Sequence, residues 1–233
     1  MKIHTSDKRA LVFGATGLVG SHLVPMLLAH PAYAEVHVFG RRELKLTHAK
    51  LTQHLVDFER LEDYRDFITG DDLYSCLGTT RKNAGSKEAF RHIDFDYNYM
   101  IALIASRNQV NQYLLVSTVG ADPESPFYYS KVKGELEKAV RELDFWALHL
   151  FQPSILLGER NENRFGEAIA QRIGRVVDRV TGNLLSKYKP IDAEDVARAM
   201  LHAAQEFTPG QHVYPSDELQ RMAESEAQKR LKQ

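Results

Sequence analysis

Residues 128–137, YYSKVKGELE, place Tyr129 four positions before Lys133. On a helix, positions i and i+4 share a face. An ammonium beside a phenol makes that phenol a stronger acid. A tyrosine in such a pair can give a proton to a carbonyl oxygen, or take one from an alcohol, while a hydride moves. Tyr128 has no comparable partner, because its i+4 residue is Val132. By itself the Y-x-x-x-K pair is weak, since it arises by chance in many helices. Upstream, the run LLVST closes on Ser117 and Thr118. A hydroxyl there could bond the same substrate oxygen, with Thr118 the first choice and Ser117 the second. Both are equally the kind of residue that ends an ordinary strand.

The pair gains weight from the start of the chain. LVFGATGLVG, residues 11–20, carries Gly14, Gly17 and Gly20 between a β-rich run and an amphipathic stretch with Val19, Leu23, Met26 and Leu27 at helical spacing. In a dinucleotide-binding turn the first glycine permits the tight turn and the second lets backbone approach a pyrophosphate. The third lets helix pack on strand. The free N–H groups and dipole of the helix then face the anion. Sites that prefer NAD carry an acidic residue for the ribose 2′-OH at the end of the second strand. Here that end reads VFGRRE, with Gly40, Arg41 and Arg42 where the acid belongs. A guanidinium forks onto a phosphate, which predicts NADP(H) in preference to NAD(H), through Arg41 first and Arg42 second. The plain alternative is two solvated arginines, and Glu43 takes an NAD-like role if the strand ends later. Asp57 and Phe58 fall where such folds grip adenine; they equally suit a strand-end acid and a core aromatic. CLGTTR brings Gly78, Thr79 and Thr80 to the end of strand four, the edge where open α/β sheets bind ligands.

These residues need a scaffold. Buried-strand patterns occur at 10–14, 36–40, 54–58, 72–78, 112–118 and 145–154, alternating with helical stretches such as 89–106 and 128–143. Strand–helix alternation with right-handed crossovers predicts an α/β, doubly wound, mostly parallel Rossmann sheet with helices on both faces. Pro25 should kink or weaken the first helix. No linker divides residues 1–233, which read as one domain, with segments 155–188 and 207–233 forming a small cap. The 233 residues are 43% apolar and 26% charged, with a net charge of −1, which gives no reason to expect nucleic acid as a partner. No run approaches the length of a membrane span. The histidines show no metal-ligand spacing, and Cys76 lies in an apolar strand, as core rather than nucleophile. A single cysteine excludes an internal disulfide framework, so a cytoplasmic setting is expected. The partners expected are a small-molecule substrate and, at most, a second copy of the chain as a homodimer.

GATGLVG, VHVFGRREL, CLGTTRKNAGSKEAFRHIDFDY, LLVSTVGAD, YYSKVKGELE and FQPSILLGER run in an order that resembles the atypical short-chain dehydrogenase/reductases. Among these, the likeness is to the Tat-interacting-protein oxidoreductase family. It covers nearly the whole chain, and CLGTTRKNAG is its most specific piece. The resemblance implies an NADP(H)-binding Rossmann fold. It implies Gly14, Thr16, Gly17, Leu18, Val19, Arg41, Arg42, Leu77, Gly78, Thr79, Lys133 and Pro153 as cofactor contacts, and Tyr129 and Lys133 as the catalytic pair. One departure stands out: where the family has Arg-Pro after strand six, this chain has Gln152-Pro153. The activity implied is hydride transfer to or from a small carbonyl or alcohol. The alternatives are an NADPH-responsive binding module without turnover, and a sugar-nucleotide epimerase that recycles its cofactor.

Overall fold

Ala10 and Val12 pack into one core and Leu11 and Phe13 into another, and all four are fully buried. A strand apolar on both faces belongs inside a sheet that is covered on both sides. The computed structural model, which describes residues 3–158 and 188–222, shows that arrangement. Strands β1 (Lys8–Phe13), β2 (Tyr33–Gly40), β3 (Leu51–Leu55), β4 (Asp72–Ser75), β5 (Gln112–Val116) and β6 (Ala147–Gln152) form the sheet in the order β3-β2-β1-β4-β5-β6. Every pairing is parallel. The order reverses direction between β1 and β4, so the carboxyl ends of these two strands open the crevice where such sheets bind ligands.

Helix α1 (Leu18–Ala29) covers one face of the sheet. After β4 the short helices α2 (Arg81–Ala84) and α3 (Lys87–Arg91) lead to α4 (Asn98–Arg107), which with a 3-10 stretch (Phe58–Phe67) and α5 (Tyr128–Val140) covers the other face. A minor pair, β7 (Leu156–Leu157) and β8 (Ile191–Asp192), leads into α6 (Ala193–Gln205), which packs beside α1. A last strand, β9 (Gly210–Pro215), then joins β6 in parallel.

Several boundaries differ from the sequence reading. Segment 207–233 is not wholly cap: β9 extends the sheet to seven strands, its GQHVYP run too polar and too irregular to announce a strand. The chain is helical from 216 to 222, and 223–233 lies outside the described residues, as does 159–187 of the other expected cap segment. The third strand is 51–55 rather than 54–58, because the Asp57 carboxylate accepts the Glu59 N–H and starts the 3-10 stretch. The strands expected at 72–78 and 112–118 stop at 75 and 116, leaving their last residues as loop. Pro25 does not break α1. It sits on the exposed side, where the carbonyl it strands can be met by water. The helix expected at 89–106 carries a π-helical turn, His92–Tyr97, between α3 and α4.

Candidate active site and dinucleotide cleft

Gly14 has φ +81°, and a Cβ on it would lie 2.4 Å from the Cys76 carbonyl carbon. Only glycine lets this turn bend while pressed against the end of β4. A Cβ on Gly20 would come 2.3 Å from the Gly14 oxygen, so the first turn of α1 rests on backbone. Between them Gly17 opens α1 with no side-chain cap and no acidic residue in the first turn. The positive end of the helix is therefore left for an anion from outside. Val19 lies in the core and Leu18, partly buried, packs against it. Gly14, Ala15 and Thr16 share a cleft of about 80 Å³ with Gly40, Arg41, Arg42, Phe58 and Leu77. The two arginines are exposed and pair with no carboxylate among the described residues. Phe58 lines this cleft and also meets Phe13 edge-on in the core. Asp57 is occupied as a cap. The residues suit part of a dinucleotide: a turn that must be glycine and two guanidinium groups without a carboxylate partner among the described residues line one crevice, and the uncapped helix end at Gly17 follows directly on that turn.

On α5, Tyr129 and Lys133 share a face. Tyr129 is 42% exposed, with its ring centroid 5.4 Å from that of Phe90. Its hydroxyl takes no partner among the described residues. Tyr128 turns elsewhere, its hydroxyl donating to the Lys87 carbonyl at 3.0 Å. Lys133 is buried, and a Cβ on Gly78 would stand 3.5 Å from its Nζ. The lysine and the loop after β4 are thus brought together. Burial pulls the Lys133 pKa down, but Asp94, with Tyr129 and Glu137, overcomes this and holds it above the usual lysine value. Gly134 brings in the β5–α5 loop, because a Cβ there would lie 2.3 Å from the Asp122 carbonyl carbon.

One expectation about neighbours changes. Ser117 does not face a substrate: its hydroxyl donates to Glu137, a buried carboxylate one turn beyond Lys133. Thr118 is left as the available hydroxyl, with no side-chain partner among the described residues. Gln152 also donates to Glu137, at 3.0 and 3.1 Å to its two oxygens. Burial pushes the Glu137 carboxyl above its usual pKa, against hydrogen bonds from Ser117 and Gln152 that pull it down. Pro153 is buried, and its carbonyl accepts the Val119 N–H at 2.9 Å, tying the ends of β5 and β6. Cys76 behaves as core: burial pushes its thiol up to about 12.

Sequence reasoning missed Asp94. It is fully buried, Nζ of Lys133 lies 2.8 Å from its Oδ1, and its Oδ2 accepts the Thr79 N–H at 2.9 Å. The Oδ1 contact is ionic, lacking the angle of a good hydrogen bond. An aspartate inside an otherwise ordinary helical run gives no sign of this in the sequence.

A parallel sheet in the order 3-2-1-4-5-6, a glycine turn after β1 and a Tyr–Lys pair on α5 define the short-chain dehydrogenase/reductase class. A family model described as the NAD dependent epimerase/dehydratase family matches residues 10–214. The chain belongs to that family. Protein HTATIP2 of Rattus norvegicus is 37% identical over 71% of this chain and 70% of its own length. The mitochondrial protein FMP52 of Candida albicans is 36% identical over 86% of this chain and 89% of its own. These relatives are atypical short-chain dehydrogenase/reductases, as the motifs imply. Among solved structures, MoeE5 in complex with UDP-glucuronic acid and NAD superposes with a TM-score of 0.67, covering 88% of this chain and 75% of that one at 17% identity. That likeness shows the fold. The cytoplasmic expectation is overturned: the fungal relatives are named mitochondrial proteins. A lone cysteine excludes a disulfide framework and does not distinguish one reducing compartment from another.

Proposed function

We propose that the chain is an NADP(H)-dependent oxidoreductase acting on a small carbonyl or alcohol. The observation that carries this reading is the meeting of Lys133 with Gly78, at the carboxyl end of β4, beside a Tyr129 hydroxyl that no group among the described residues engages. In this reading the uncapped start of α1 at Gly17 takes the pyrophosphate, and Gly14, Thr16, Gly20, Leu77 and Pro153 shape its crevice. Arg41 and Arg42 take the 2′-phosphate, and Phe58 lies against the adenine. Gly78 and Thr79 line the ribose side, where Lys133 holds hydroxyls. Tyr129 moves the proton at the substrate oxygen and Thr118 orients that oxygen. The nicotinamide, when bound, supplies or accepts the hydride. The protein forms one domain over 1–233 and works as a monomer or homodimer.

A second reading, an epimerase that restores its own cofactor, is favoured by the family's description and by the UDP-sugar bound to MoeE5. The test is a fluorescence titration with NADPH and NADH, followed by a screen of carbonyl compounds and UDP-sugars. Tight NADPH, weak NADH and net NADPH consumption support the first reading. Sugar conversion without net consumption supports the second. Binding of neither nucleotide removes both.

A further inference from the structure

A buried ammonium is expensive unless it is paired and its neighbours are hydrogen-bonded. The Lys133 side chain is 4% exposed and the Asp94 side chain facing it 1%. The same carboxylate has a second task, since its other oxygen accepts the Thr79 backbone N–H. Gly78 lies between the two contacts; a Cβ there would come 3.1 Å from Asp94 Oδ1. Asp94 reaches this position from the π-helical turn His92–Tyr97, and such single turns recur at functional sites. The turn is itself anchored. Asn98 donates from its amide to the carbonyls of Leu77 and Ile93 and accepts the Ser75 hydroxyl.

We infer that Asp94 is a positioning residue, whose single carboxylate fixes the Lys133 ammonium beneath Gly78 and ties the Gly78–Thr79 segment to it. This deepens the proposed function and rests on it in one respect, that Lys133 serves the cofactor. The segment that would meet the ribose and the lysine that would hold the ribose are set by the same group. Neither can shift without the other. Of the ionisable groups that act on Lys133, Asp94 comes from the facing turn, and Tyr129 and Glu137 come from its own helix.

The experiment compares wild type with Asp94→Asn, which keeps the size and loses the charge. The first readout is an NMR titration of the Lys133 side-chain carbon next to Nζ, assigned by its absence in Lys133→Met. Wild-type Lys133 should keep its proton beyond the ordinary lysine range near ~10.4, and Asp94→Asn should lower its midpoint by about one unit or more. An unchanged midpoint overturns the inference. The second readout is NADPH affinity between about pH 7 and about pH 10.5. Asp94→Asn should begin to weaken about one pH unit or more before wild type does, reaching several-fold to roughly tenfold below wild type near the top of that range. A loss that does not vary with pH overturns the charge role and leaves Asp94 as mere structure. If wild type binds no NADPH, the cofactor reading falls while the NMR titration still decides the tether. If Asp94→Asn does not fold, adding Lys133→Met should restore folding by removing the stranded charge; failure to restore it overturns the inference.

Discussion

At the residue level, Tyr129 and Lys133 are divided by environment: one is 42% exposed and the other buried. The exposed member can meet a substrate, and the buried one holds a fixed charge. Tyr129→Phe keeps the ring against Phe90 and removes only the hydroxyl. Turnover should fall by about a hundredfold or more, the usual worth of a positioned proton donor, with NADPH binding unchanged. Measured kcat together with the fluorescence titration checks this, and retained turnover would take Tyr129 out of the chemistry. Among the described residues Arg41 and Arg42 stand in the cleft without carboxylate partners, so replacing both with alanine should not unsettle the fold. It should weaken NADPH by roughly ten- to a hundredfold, the scale of one or two charge-assisted hydrogen bonds, and leave NADH nearly untouched. Equal losses for both nucleotides would show that the arginines do not read the 2′-phosphate.

At the level of elements, the β5–α5 loop is placed by a glycine that no motif singled out. Gly134 lies mid-helix, where alanine would ordinarily gain about 1 kcal/mol of helix propensity. Here the new Cβ would sit 2.3–2.4 Å from the backbone of Asp122 and Pro123. Backbone cannot rotate away as a side chain can. The overpacking cost of about 1–3 kcal/mol should outweigh the gain, so Gly134→Ala should be net destabilising in urea denaturation. It should also displace the loop after Thr118 and lower turnover; a more stable Gly134→Ala would show the loop to be yielding. The contrast marks what a sequence discloses. Gly14, Gly17 and Gly20, the strand–helix alternation and the Tyr129–Lys133 spacing were legible because each depends on local turn chemistry or on a short period. Ser117 was misjudged because its fate depends on Glu137 and Gln152, which only the tertiary fold brings to it. Asp94 was invisible for the same reason: nothing in HIDFDY tells that a π-helical turn will aim one of its two aspartates inward. The last strand hid behind a pattern of burial too weak for a period to emerge.

Across the whole molecule, the edge opposite the cleft is closed by a buried polar network. Lys8, Asp72 and Gln112, each the first residue of its strand, join through an ion pair of 2.5 Å and a hydrogen bond of 2.9 Å. Lys8 and Gln112 also donate to the Ala204 carbonyl at the end of α6. His149 extends the network to the last strand. Gln112 spends its amide N–H groups on Asp72 and Ala204, so its oxygen must accept from His149 Nε2, at 3.1 Å. His149 Nδ1 then accepts the Tyr214 hydroxyl at 3.0 Å. Both ring nitrogens are committed to the neutral form, and burial, with His212 nearby, lowers the His149 pKa to about 3. An unfolded chain would take up a proton at ~6.5, so between that pH and about 3 it binds a proton that the native protein refuses. Stability should therefore fall as pH drops through this window, by about 1.4 kcal/mol per unit from His149 alone. Denaturant unfolding at about pH 6.5 and about pH 4.5 should show His149→Gln losing roughly 2 kcal/mol less than wild type over that step. The comparison is of slopes, so any fixed cost of the substitution cancels. Parallel losses in the two proteins would mean that His149 already takes up a proton inside the fold, and that the network tolerates an imidazolium at its centre.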